Sequence, residues 1–145
     1  MISKKCDYAL RAVLELAKQE GSGPVTIADI AEIQQIPARF LEAILRQLKQ
    51  GGFTESQRGK DGGYLLARSA AKIHVGDVIR LFEGPLLACA PGSQSDSQVG
   101  GPRVLQNLWE EAMTVLSDVY DETSFADLAK RDRELNGTFV HDYSI

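Results

Sequence analysis

Arg39 and Arg46 stand seven residues apart, about two helical turns, so on a helix they share one face. A guanidinium is a planar fork that donates two hydrogen bonds at once, the geometry needed for the edge of a guanine. Arg58 and Lys60 follow in the run Arg58-Gly59-Lys60-Asp61-Gly62-Gly63, where glycines let a backbone come close to phosphates. Either pair alone is equally well read as solvated surface charge. Together, on a helix and on the hairpin that follows it, they suggest contact with DNA.

The elements that must hold these side chains can be read from the pattern. Pro37 suits a helix start and Gly51-Gly52 a stop, which predicts a helix over 37–50. On it Phe40, Leu41, Ile44, Leu45 and Leu48 fall on an arc of roughly 140°, predicted to face the core. Arg39, Glu42, Arg46, Lys49 and Gln50 lie opposite. A strand over 53–58, a tight tip and a return strand over 64–67 make a wing. Upstream, Thr26-Ile27-Ala28-Asp29 fits a capping box for a short helix whose Ile27, Ile30, Ala31 and Ile33 are expected to face inward. Gln34-Gln35-Ile36 then turns the chain before Pro37, giving a helix-turn-helix. A first helix over 3–19 carries Cys6, Ala9, Val13, Leu16 and Ala17 on its apolar face. Val75, Val78, Ile79 and Phe82 recur at helical spacing and close the core of a DNA-binding domain over 1–83.

Beyond it, 84–101 is rich in Gly, Pro and Ser and reads as a flexible loop where a signal could enter. Pro102 opens a long helix to about Asp121, with Val104, Leu105, Leu108, Ala112, Val115, Leu116 and Val119 in one stripe. Trp109 is read as an interface aromatic. Such a stripe needs a covering surface, and a second copy of the chain is the expected one. A shorter helix over 123–135, capped by Thr123 or Ser124, and a weakly determined tail over 136–145 complete the chain. The predicted class is mainly α with a small β-hairpin wing: a winged helix-turn-helix domain plus a long dimerisation helix.

The formal charge of -4 argues weakly against a nucleic-acid partner, but its distribution reverses the argument. Residues 37–72 hold 7 Lys/Arg against 3 Asp/Glu, whereas 84–145 hold 4 against 10. Positive charge is concentrated where the DNA surface is predicted, and the local field decides. No apolar run reaches membrane-spanning length and no signal peptide is evident, so a cytoplasmic location with no membrane association is expected. Two cysteines, Cys6 and Cys89, and two distant histidines, His74 and His141, make neither a disulfide scaffold nor a zinc motif. Metal ligands are therefore not expected. No nucleophile–base pair, phosphate loop or paired carboxylates are present, so the chain is not read as an enzyme.

Four blocks, SKKCDYALRAVLELA, GPVTIADIAEIQQIPARFLEAIL, RGKDGGYLLA and IHVGDVIRLFEG, resemble one bacterial winged-helix repressor family. It includes the iron–sulfur cluster regulator (IscR-like), a nitric-oxide-sensing repressor and a cysteine-metabolism repressor. The resemblance implies a dimeric transcription regulator, with helix 37–50 in the major groove and Arg58 in the adjacent minor groove. It also implies that Phe40 and Glu42 belong to the DNA-reading part of the helix, which for Phe40 conflicts with its core-facing periodicity. The DNA-contacting candidates are thus Arg39, Phe40, Glu42, Ala43 and Arg46 on the helix, Arg58 and Lys60 on the wing, and Lys4 on the first helix, with Lys5 beside it. The sensing branch of the family carries three cysteines in the loop, and here Cys89 alone matches. Asp7 matches a carboxylate ligand that some members supply from the partner's first helix. No cofactor is expected, and an iron–sulfur or other redox site using Cys89 with Cys6 or Asp7 is the alternative. The expected partners are double-stranded DNA, a second copy and an effector of unspecified kind. The expected activity is repression from a palindromic operator, against the alternative of a winged helix that docks proteins without DNA specificity.

Overall fold

Ser3 accepts the Cys6 N–H on its hydroxyl at 3.1 Å, capping helix α1 (Lys4–Lys18). The structure, a computed structural model, describes residues 2–85 and 102–142, the last five for backbone alone. Helix α2 (Ile27–Gln34) starts where Thr26 Oγ1 accepts the Asp29 N–H at 3.1 Å, the predicted cap. Gln35 takes the left-handed conformation (φ 54°) that turns the chain. Pro37 then occupies the cap position of α3 (Ala38–Gln50), one residue ahead of the helix proper. Strands β1 (Thr54–Gln57) and β2 (Gly63–Leu66) pair antiparallel, Thr54 opposite Leu66 and Gln57 opposite Gly63. Tyr64 also exchanges two 2.8 Å backbone hydrogen bonds with Val25, which fastens the wing to the loop before α2. A 3-10 turn over Ala70–Lys72, not visible in the hydrophobic pattern, leads to α4 (Val75–Glu83). Helices α5 (Arg103–Glu122) and α6 (Phe125–Asp142) follow. The architecture is mainly α with a two-stranded wing, as the sequence predicts.

The core is built around α1. Its Cys6, Ala9, Ala12, Val13, Leu16 and Ala17 are buried, with Ile30 of α2, Leu41, Ile44, Leu45 and Leu48 of α3, and Val78 and Ile79 of α4. Two expected core residues differ. Ile33 is 53% exposed, because α2 has little more than two turns and its inward arc is filled by Ile30, with Ile27 and Ala31 at its edges. Phe40 is 49% exposed. It lies about 100° around the helix from Leu41, at the rim of the apolar arc and not within it.

Helix α5 is mostly solvent-facing. Met113, Ser117 and Tyr120, at helical spacing, make a narrow seam that is at least partly buried. The predicted stripe stays exposed, Val104 at 72% and Val115 at 60%. Helix α6 returns to the domain, with Phe125 and Ala129 buried in the same core as α1. Ser124 caps it, its Oγ accepting the Asp127 N–H at 3.1 Å while Asp127 accepts the Ser124 N–H at 3.2 Å. Periodicity ends this helix at Leu135, whereas the backbone stays helical to Asp142 through residues of modest helix propensity. Phe125→Ala should lower unfolding free energy by about 3–5 kcal/mol, read from denaturant melts. A loss below ~1 kcal/mol would mean that α6 is not part of the cooperative core.

Candidate nucleic-acid interface

Helix α3 is set by its buried side, since Leu41, Ile44, Leu45 and Leu48 leave it one orientation on α1. Its outer face therefore presents Arg39, Glu42, Ala43 and Arg46 to solvent together. Arg39 holds its guanidinium 4.8 Å from the centre of the Phe40 ring, and Arg46 approaches the Glu42 carboxylate at 3.4 Å. That pair is well over half exposed and is held weakly in water. Among the described residues Arg39, Arg58 and Lys60 make no ion pair, so their charge is available to an outside anion.

The wing follows from its glycines. Gly59 sits at φ 115°, which side-chain-bearing residues rarely adopt, and a Cβ on Gly63 would lie 2.5 Å from the Val25 carbonyl oxygen. Arg58 and Lys60 are thereby carried on an exposed tip. Lys49 near the end of α3 donates to Ser56 Oγ of β1 at 2.7 Å, joining helix to wing across their outer surfaces. Nothing in the pattern points to that link, which depends on how the hairpin folds back.

On the other flank, Lys4, Lys5 and Tyr8 of α1 meet Phe40, Ala43 and Ile44 of α3 around an open cleft of about 560 Å³. The Lys4 ammonium lies 5.5 Å from the Tyr8 ring centre. Lys4 and Phe40, distant in sequence, thus belong to one surface. Tyr8 joins them, and its spacing of four residues from Lys4 is the signal that could have placed it there.

The sensor candidates fare differently. Cys6 is fully buried, and burial, with the carboxylates of Glu83 and Asp7 adding to it, pushes its thiol up to about 11. Asp7 is engaged by Arg11 at 2.7 Å. Cys89, His141 and most of the 84–101 loop lie outside the described residues. His74 stands at the cap of α4, its backbone N–H donating to Asp77 at 3.2 Å. Among the described residues no three His, Cys, Asp or Glu side chains converge on one point.

Comparison with known proteins supports the regulator reading. Residues 2–131 match the Rrf2 family, described as "Iron-dependent Transcriptional regulator". The transcriptional regulator CymR of Bacillus subtilis is 34% identical over 128 residues, 88% of each chain. Its structure, described as that of the global cysteine regulator, is similar with a TM-score of 0.80 at 32% identity, covering 90% of this chain and 97% of that one. The IscR structure from T. potens gives a TM-score of 0.78 at 33% identity, covering 93% and 90%. The iron in the family description requires donors that could hold it. Clusters are held chiefly by thiolates, and this chain has two cysteines, one of them buried as a neutral thiol. Cys6 and Asp7 as arranged do not fit such a group. The match over most of the chain, the helix-turn-helix and the cationic wing lead to one conclusion: the chain belongs to the Rrf2 family and is a DNA-binding transcriptional regulator, not an enzyme.

Proposed function

We propose that the protein is a homodimeric repressor that binds a palindromic operator and works without an iron–sulfur cluster. The observation that carries this reading is the shared outward face of Arg39, Glu42, Ala43 and Arg46, flanked by the Arg58–Lys60 wing on one side and the Lys4–Phe40 cleft on the other. Helix α3 enters the major groove, where Arg46 and Arg39 read base edges and Glu42 accepts from a base amino group. Arg58 and Lys60 reach the neighbouring minor groove and backbone. Lys4, with Lys5 and Tyr8 beside it, holds a phosphate, and Phe40 packs against the sugar–phosphate edge of the site. Phosphate contacts fix register and the base contacts choose sequence.

The exposed stripe from Val104 to Val119 is covered by the same stripe of a second copy, which places two α3 helices about a two-fold axis. A repressor with this symmetry occupies half-sites about one helical turn, or a multiple of it, apart. The segment 84–101 is where an effector enters. Buried Cys6 and Arg11-bound Asp7 argue against a cluster as that effector.

Arg46→Ala should weaken operator binding by about 1–3 kcal/mol and relax preference at one base pair, while Lys4→Ala should weaken all sequences alike and lower the salt slope by about 1. Both melt at the temperature of the parent because both side chains are exposed. Unchanged affinity in Arg46→Ala and Arg58→Ala alike would remove α3 and the wing from the interface. In the native protein at pH 8, Cys6 should be alkylated on the order of a hundredfold more slowly than in the unfolded chain, followed by mass spectrometry of its peptide. Equal rates would restore Cys6 as a reactive thiol and a candidate ligand.

A further inference from the structure

The C-terminal end of α5 is held to the DNA-binding domain by a compact set of contacts. The turn between α5 and α6 is pinned by main-chain hydrogen bonds on either side of Ser124: the Val75 N–H donates to the Thr123 carbonyl at 3.0 Å, and the Phe125 N–H to the Ile73 carbonyl at 2.9 Å. Next to this pivot, Arg80 Nη2 of α4 meets Asp121 Oδ2 of α5 at 2.6 Å. The pair rests on the α4 backbone at Gly76. A Cβ there would collide with the Asp121 carboxylate and come within 3.0 Å of Arg80 Nη1. Gly76 is a buried glycine inside a helix, where alanine would favour the helix more. Its lack of a side chain is the space that the ion pair occupies.

Helix α5 has 20 residues and is therefore about 30 Å long. A change of 10° at its fixed end would move the far end by about 5 Å, more than the ~3.4 Å rise of one base-pair step. An exposed ion pair contributes little to stability. As a restraint on direction, next to a pinned turn, it has a consequence out of proportion to that energy.

We propose that Arg80, Asp121 and Gly76 form the joint that fixes the angle of α5 to the DNA-binding domain, and thereby the half-site spacing that the dimer accepts. This rests on the symmetric-dimer reading above. The three are positioning residues: none belongs to the α3 face, the wing or the α1 cleft. Arg80→Gln and Asp121→Asn remove one charge each. Gly76→Ala keeps both charges but fills the place where they meet. Exchanging the charges, with Arg80→Asp and Asp121→Arg together, restores a pair in reverse, in part only because Asp77, 3.9 Å from Arg80, then faces a like charge.

The test measures affinity of the full-length protein for duplexes carrying two inverted copies of the preferred half-site, with the gap changed one base pair at a time. The parent should favour one gap about tenfold or more over its neighbours, and Arg80→Gln and Gly76→Ala should shrink that preference to about threefold or less. Their affinity for a single half-site and their dimeric state by sedimentation should not change. The charge exchange should recover part of the gap preference. Folded dimers of Arg80→Gln, Asp121→Asn and Gly76→Ala with the parent's gap profile would overturn the proposal. A parent with no gap preference would instead sink the symmetric dimer itself, and the joint's role with it.

Discussion

Everything in this structure depends on how closely helices can pack around α1. Cys6, Ala9, Ala12 and Ala17 are small, and with Val13 and Leu16 they are buried, so that α2, α3, α4, α6 and β2 all come into contact with this one helix. Small side chains shorten the distance between helix axes, and close packing then leaves each neighbour few orientations. Glu15, 1% exposed, adds a polar restraint inside the same hub. Its carboxylate accepts from Gln34 Nε2 at 2.9 Å and from Gln19 Nε2 at 3.4 Å, and Lys18 stands 3.6 Å away. A buried carboxylate is costly unless its lone pairs are used, and here the partner at the end of α2 ties the turn of the helix-turn-helix to α1. Lys18 continues the chain of contacts to Asp132 of α6 at 2.9 Å.

That hub explains why the outward surface of α3 is the candidate platform for recognition. With four leucine and isoleucine side chains committed to the core, α3 has a single face left, and on it two arginines and a glutamate stand exposed. The wing is fixed to the helices through the Val25–Tyr64 bridge, through Lys49 to Ser56, and through Thr54 Oγ1, which donates to the Leu45 carbonyl at 3.4 Å. Cys6 is one of the buried residues of the hub. The burial that makes it a good packing residue is what holds its thiol protonated.

The parts of the fold that were legible in the sequence were those decided by local pattern. The apolar arc of α3, the Thr26 cap, the Gly-rich tip and the length of α5 all follow from residues within a few positions of each other. Phe40 was ambiguous because a helical wheel does not say where the neighbour's surface ends, and it stands at that edge. Ile33 misled for the same reason on a shorter helix. The extent of α6 was hidden because Asn136, Gly137 and Thr138 give little local signal for a helix. Relations between distant segments, such as the Arg80–Asp121 ion pair or the cleft that Lys4 and Phe40 both line, became visible only once the chain had folded. Of the candidate DNA-contacting set, residue types and faces could be read, but the continuity of the surface from α1 through α3 to the wing could not.

The most direct test of the central claim is enrichment of bound sequences from a pool of random duplexes by the untagged protein. The account predicts an inverted repeat whose half-sites are centred about one helical turn, or a multiple of it, apart. Recovery of no motif, or of a single motif without two-fold symmetry, would contradict a dimer that reads DNA with α3.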